Sequence, residues 1–302
     1  MTAKVAVPRR RTRPTMLRNT LKTTIFLAAL GGLMVAVGSF FGRGGAVIGL
    51  VLGLVTVGAA YWGSDKLAIR AARAEPADPA RYPQYHQIVA ELSQRAGIPM
   101  PRLYVSPEQQ PNAFATGRNP KHAAVAVTQG LLAVCSPEEV RAVLAHELAH
   151  VKNRDILIGS VAAAVATGIS FITNMAMWGA MFGGGRDDDE GGNPIALLAT
   201  AMLAPLAAGM LQMAISRSRE FEADRTGAEL IGTGAPLASA LRRLDAYAAR
   251  VPMDVQPSQA SHFIVNPLTG RQVSFANLFR THPTTEERVQ RLLGHASPRI
   301  PA

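Results

Sequence analysis

The chain of 302 residues is long enough for one sizeable domain or two modest ones, and its single cysteine, Cys135, excludes an intrachain disulfide. Its formal charge of +10 would suit a nucleic-acid partner, but seven of the cations precede the first apolar stretch. We therefore interpret the charge as a membrane-topology signal and expect no nucleic-acid partner. The seven are Lys4, Arg9, Arg10, Arg11, Arg13, Arg18 and Lys22.

Four uncharged stretches are each long enough to cross about 30 Å of hydrocarbon as a helix. They cover residues 23–41, 44–62, 156–182 and 194–215. The last two are rich in alanine, so a helical hairpin buried in protein is the alternative interpretation for that pair.

The basic residues beside these stretches fall on one side of the predicted membrane, whereas the loop 183–193 is acidic. By the positive-inside rule, this pattern predicts a multi-pass protein of the cell (inner) membrane with both termini in the cytoplasm. The predicted parts are a basic tail (1–22), a transmembrane hairpin (23–62), a cytoplasmic part (63–155), a second hairpin (156–215) and a second cytoplasmic part (216–302).

Small residues recur at every fourth position of the second stretch, at Gly45, Gly49 and Gly53. In lipid, such a stripe lets two helix backbones approach closely. We interpret it as the surface that packs against the first stretch.

Short helix and strand patterns follow the second stretch. A polar linker is predicted over 75–81, and a helix begins at Tyr82 and stops at Gly97. Three β-prone runs separated by turn residues then predict a small sheet. These runs cover 102–105, 112–116 and 123–128.

A further helix is predicted after Ser136, which is a suitable cap because Pro137 and Glu139 follow at the first and third helical positions. Three more helices are predicted beyond the fourth stretch. They cover 216–231, 236–250 and 284–293.

The helix after Ser136 carries two histidines four residues apart, His146 and His150, with Glu147 between them. Both imidazoles lie on one helix face and can bind one metal ion, as in zinc proteases. The alternative is an amphipathic surface helix with two solvated histidines. We predict one Zn²⁺ per chain at this position.

The third zinc ligand has to come from elsewhere, because a hydrolytic zinc site typically has three protein ligands and no third histidine follows nearby. Glu220, just past the fourth stretch, is the best candidate, since a hairpin of the third and fourth stretches returns the chain to His150. Asp224 lies one turn later on the same face and can orient a histidine. Glu222 points about 200° away from that face.

These residues resemble those of the HtpX-like membrane zinc peptidases, relatives of the prenyl-protein CAAX peptidases. The likeness rests on four motifs in the family's order: PNAFATG at 111–117, HELAH at 146–150, EFEAD at 220–224 and THPTTEER at 281–288. It implies an α+β, mainly helical, gluzincin-like core with a small β-sheet, integrated with four transmembrane helices.

The resemblance also implies roles for single residues. Glu147 would be the general base and Glu220 the third ligand. The strand with Asn112, Ala113 and Phe114 would pair with the substrate backbone, and an ordinary core strand is the alternative.

The last motif adds two residues. His282 resembles the family histidine that reaches the active site, where it would stabilise the oxyanion; capping the final helix is the alternative. Arg288 is expected either to pair with Asp224 or to be a solvated charge.

The sequence therefore predicts an integral membrane zinc endopeptidase that acts at the bilayer on cytoplasmic parts of membrane proteins or on unfolded polypeptides. Quality control of misfolded or damaged membrane proteins is implied by the resemblance alone. The alternatives are a peptidase specific for prenylated C-termini and a non-catalytic membrane protein with structural zinc.

Overall fold

The computed structural model describes residues 42–158, 217–248 and 283–294, with isolated positions between 20 and 39 and at 250 and 264. Most of the predicted stretches 23–41 and 156–182, and all of 194–215, lie outside the described residues.

The first described helix, α1 (Gly42–Ala71), contains the second apolar stretch and continues beyond its predicted end. Its segment Gly42–Gly63, 22 residues long, is the one helix of the described part that is long and apolar enough to cross a membrane. The number of four spans therefore stays a prediction.

The glycines of α1 approach the chain of the first apolar stretch. A Cβ atom added at Gly49 would lie 2.3 Å from the Met34 carbonyl oxygen, and one at Gly53 would lie 3.3 Å from that of Gly31. A side chain at Gly49 would clash with that backbone, and one at Gly53 would be tight, so these two glycines of the stripe lie at the contact between the two segments.

Four strands form one mixed sheet in the order β1-β2-β4-β3. They are β1 (Glu75–Pro76), β2 (Arg102–Ser106), β3 (Ala113–Gly117) and β4 (Ala123–Thr128). Strand β4 is parallel to β2 and antiparallel to β3, whereas β1 is antiparallel to β2. Strand β3 therefore lies at an edge of the sheet.

The start of the predicted linker 75–81 is instead the short edge strand β1. Edge strands tolerate proline, because one side of their backbone does not have to donate to the sheet. The polar composition of this segment was therefore compatible with a strand.

Six further α-helices follow, together with a short 3-10 helix, Pro120–His122. The α-helices are α2 (Pro83–Ala96), α3 (Gln129–Val134), α4 (Pro137–Asn153), α5 (Arg217–Ile231), α6 (Ala235–Ala248) and α7 (Thr285–Gly294). A capping box starts α4: Glu139 N–H donates to Ser136 Oγ, and Ser136 N–H donates to the Glu139 carboxylate. The predicted mainly helical fold with a small sheet is confirmed, although α3 was not predicted.

Helix α4 is central to the fold, since it packs against α2, α5, α6 and β3. Its apolar residues, including Val143, Leu144 and Leu148, are completely buried. The contact with α5 is especially close, because a Cβ atom at Gly227 would lie 3.0 Å from the backbone nitrogen of His146. Glycine at this position sets the separation of the two helices.

The substitution Gly227→Val should separate α4 from α5 and lower the melting temperature, with a loss of stability of about 1–3 kcal/mol typical of overpacking. Glu229→Val is the matched control, because it adds the same side chain to an exposed position of the same helix. Thermal unfolding in detergent measures both variants. Equal melting temperatures would show that the helix contact is not tight.

Candidate active site

Helix α4 brings both histidines of the motif to one buried face. The His146 and His150 Nε2 atoms are 3.2 Å apart, and His146 is almost completely buried. Glu147, between them in sequence, is also buried. Two imidazole nitrogens that converge in this way form two corners of a metal site.

Helix α5 supplies a carboxylate to the same point. The Glu220 oxygens lie 3.7 Å from His146 Nε2 and 3.7 Å from His150 Nε2. Glu222 is directed elsewhere and forms an ion pair of 2.5 Å with Arg225. The structure thus brings Glu220, and not Glu222, to the two histidines.

The spacing of these three groups fits a zinc ion. Tetrahedral zinc with bonds of about 2.0–2.1 Å holds its ligand atoms about 3.3–3.4 Å apart. The separations of 3.2, 3.7 and 3.7 Å are close to that value. One candidate ligand atom from each of His146, His150 and Glu220 lies within 4.8 Å of the other two.

Asp224 orients His146 from the side away from this point. Its Oδ1 atom lies 2.9 Å from His146 Nδ1. Burial raises the pKa of Asp224, but Arg288 and His146 outweigh burial and hold this pKa well below its usual range. An ionised carboxylate only accepts hydrogen bonds, so the imidazole proton is on Nδ1. The lone pair is then on Nε2, which lies 3.2 Å from His150 Nε2.

Arg288, on α7, is buried against Asp224. Its Nε and Nη2 atoms donate to the two Asp224 oxygens at 2.8 and 2.7 Å, and Nη1 donates to the Ile264 carbonyl oxygen at 2.9 Å. Of the two interpretations of Arg288, the structure shows the pair with Asp224. The final helix therefore contacts the ligand helix through a bidentate ion pair.

The corresponding partner of His150 is Asp155, a residue to which sequence reasoning assigned no role. Its Oδ1 atom lies 3.1 Å from His150 Nδ1. Helix α4 ends at Asn153, and Arg154 adopts a left-handed conformation with φ of 58°, which turns the chain back towards His150. The sequence contained one signal for this contact, namely an acidic residue just past the end of the helix that carries the two histidines.

The charges of the site act on the pKa values of its residues. Burial raises the pKa of Glu147, and the nearby His146 and His150 only partly oppose this effect. Burial lowers the pKa of His150, but Asp155, Glu220 and Glu147 outweigh it and raise this pKa to about 10. A metal ion must therefore displace a proton from His150.

The predicted substrate-binding residues lie at and beside the edge strand β3. Asn112, Ala113 and Phe114 are all buried, and β3 packs against α4 on one side and contacts α1. The Asn112 side-chain oxygen accepts from the Ala113 N–H at 3.1 Å, and Ile264 N–H donates to the Ala113 carbonyl oxygen at 3.4 Å. His282 lies outside the described residues.

A mainly helical fold in which one helix carries the two histidines and a second helix supplies the carboxylate defines a metallopeptidase. The model for Peptidase family M48 matches residues 79–296. The chain belongs to this family.

Similar proteins agree with this assignment and confirm the resemblance inferred from the motifs. "Protease HtpX homolog" of Syntrophobacter fumaroxidans is 52% identical over 276 residues, which is 90% of this chain and 97% of the relative. The protein of the same description from Pelotomaculum thermopropionicum is 50% identical over 277 residues, 91% and 98% of the two chains. The crystal structure of S. mikatae Ste24p shares the fold, with a TM-score of 0.52 and 20% identity over 93% of this chain and 66% of that one.

The substitution Asp155→Asn should weaken zinc binding about 10–100-fold, because the neutral amide no longer fixes the proton on His150 Nδ1. Competition with a chelator of known affinity measures the change. Asp245→Asn, at an exposed position of α6, is the matched control and should bind zinc normally. Unchanged zinc affinity in Asp155→Asn would exclude this positioning role.

Proposed function

We propose that the chain is an integral membrane zinc endopeptidase that cleaves cytoplasmic regions of misfolded or damaged membrane proteins. The convergence of His146, His150 and Glu220 within 4.8 Å, with Glu147 buried beside them, is the observation that carries this proposal. Membership of family M48 and the relatives described as proteases support it. The apolar helix α1 supports the membrane location.

His146, His150 and Glu220 would hold the zinc ion through two imidazole nitrogens and a carboxylate. When bound, zinc polarises the scissile carbonyl and lowers the pKa of water towards about 7. Asp224 and Asp155 would keep the protons of the two imidazoles on Nδ1, which would leave both Nε2 atoms to bind the ion. Arg288 holds Asp224 in place for this task.

Glu147 would act as the general base and then as the general acid. Its carboxylate, buried next to His146, His150 and Glu220, would accept a proton from the attacking water. The same carboxyl group then delivers the proton to the leaving amine. Burial supports this role, because it raises the pKa of Glu147 and makes proton return easier.

Substrate backbone would pair with β3, which lies at the sheet edge beside α4. His282 would stabilise the oxyanion, as the resemblance implies. The chain would cross the membrane four times, with the parts given above and with the active site in the cytoplasm. The positive-inside pattern supports this topology.

The substitution Glu147→Gln should abolish cleavage of an unfolded substrate such as casein while zinc stays bound. The amide keeps the shape of the side chain but cannot accept the proton. Elemental analysis gives the zinc content, and gel electrophoresis gives cleavage. Loss of stoichiometric zinc would mean that Glu147 is a ligand, and full activity would exclude the proposed mechanism.

Glu220→Ala should lose both zinc and activity, whereas Glu222→Ala should keep most of each. The pair is matched, because both substitutions remove a carboxylate from α5 and only Glu220 faces the histidines. Zinc content and casein cleavage are measured together for the two variants. Reversed phenotypes would assign the third ligand to Glu222.

His282→Ala should lower kcat by about 10²–10³ with little change in KM, since an oxyanion-stabilising group acts mainly in the transition state. The variant should keep its zinc because His282 is not one of the three proposed ligands. Steady-state kinetics on a fluorogenic peptide measures both constants. A wild-type kcat would limit the residue to packing or capping the last helix.

A further inference from the structure

Helix α1 connects the apolar segment directly to the sheet that carries the proposed substrate strand. The apolar part ends at Gly63, but the helix continues without interruption to Ala71. Just beyond the helix, Ala72 is buried in a small cluster with Phe114 of β3 and Ala126 of β4, against which Ala68 and Ile69 pack. The helix therefore leads from the apolar segment to the cluster at the substrate strand without an intervening loop.

Polar contacts fasten the same end of α1 to the sheet. Arg102 Nη2 donates to Asp65 Oδ2 at 2.5 Å, and Asp65 is buried. The Ser106 hydroxyl donates to the Ala72 carbonyl oxygen at 2.7 Å in a buried position. We name these contacts, together with the Phe114 cluster, the α1 clamp.

The α1 clamp places β3 at a short, defined distance from the apolar segment. From Gly63 to Ala72 the chain rises about 14 Å at about 1.5 Å per helical residue. The headgroup region extends about 5–8 Å beyond the hydrocarbon. An extended polypeptide that leaves the hydrocarbon covers the distance of about 14 Å in about four or five residues.

The metal-binding residues lie close to the predicted spans along two other routes. His150 precedes the uncharged stretch that starts at Ile156 by less than two helical turns, and Asp155 between them contacts His150. Glu220 follows the stretch that ends at residue 215 by a similar length of chain. Three separate parts of the sequence therefore place the site near a membrane surface.

We propose that the enzyme selects peptide bonds by their distance from the bilayer and cleaves the juxtamembrane segments of membrane polypeptides. About the first ten residues beyond the end of a substrate span are held within reach of β3 and the metal site. More distant residues reach the site only by random motion of a flexible chain. The α1 clamp fixes this distance. This inference rests on the proposed peptidase function and adds the class of substrate.

The test uses the full-length enzyme with its zinc in proteoliposomes. The substrate has one transmembrane segment and an unstructured tail of about 40 residues, which reaches about 130 Å when extended. The tail consists of tandem copies of one peptide that the purified enzyme hydrolyses in solution. Mass spectrometry of the first products locates the cuts.

Cuts should concentrate within about ten residues of the membrane, whereas the same tail without its transmembrane segment should be cut evenly along its length. An even distribution in the membrane-bound substrate would overturn the inference and leave the peptidase function intact. Failure to hydrolyse the free peptide would instead contradict the proposed function itself.

The α1 clamp is tested with Arg102→Ala and, as a variant that keeps the side-chain shape, Asp65→Asn. Both should reduce the share of cuts in the first ten residues by about half through local loosening of α1. Hydrolysis of the free peptide reports folding and should be unchanged. Arg70→Ala, an exposed position of the same helix, is the control. An unchanged distribution in both clamp variants would exclude α1 as the element that fixes the distance.

Discussion

The close contact between α4 and α5 is the constraint on which the rest of the site depends. The two histidines lie on α4, whereas Glu220 and Asp224 lie on α5, beyond the second pair of apolar stretches. Gly227 allows the α5 backbone to approach His146 so closely that the carboxylates of α5 reach the imidazoles. If the two helices were farther apart, Glu220 and Asp224 could not reach the histidines, even with the same residues in both motifs.

Buried charge is concentrated at this contact, and part of it is paired there. Removing a guanidinium or a carboxylate from water is costly unless each finds a partner of opposite charge with good geometry. Arg288 and Asp224 meet this condition through two short hydrogen bonds, and Asp155 meets it beside His150. Buried ion pairs add little stability to a fold. In this site, Asp224 and Asp155 instead fix the orientation of the His146 and His150 rings.

The sequence predicted the regular elements and the main residues of the site from local rules. Apolar spacing predicted α2, the capping residues predicted the start of α4, and the angle between residues of one helix favoured Glu220 over Glu222 as the residue facing the histidines. The contact of Asp155 with His150 was not predicted, because it depends on the left-handed conformation of Arg154, which a periodic sequence pattern does not indicate. The strand β1 was missed because its pairing with the distant strand β2 defines it. The extension of α1 was missed because the predicted stretch ended with its uncharged residues, whereas the helix continues through charged ones.

The place of Arg288 in the chain has a consequence for biosynthesis. The residue lies on the last described helix, Thr285–Gly294, yet it is the partner that keeps Asp224 ionised and directed at His146. Arg288 follows Asp224 by 64 residues, so both ligand helices are synthesised before Asp224 has its guanidinium. The arrangement of charges that orients His146 is therefore complete only after residue 288 has been added and α7 has packed against α5.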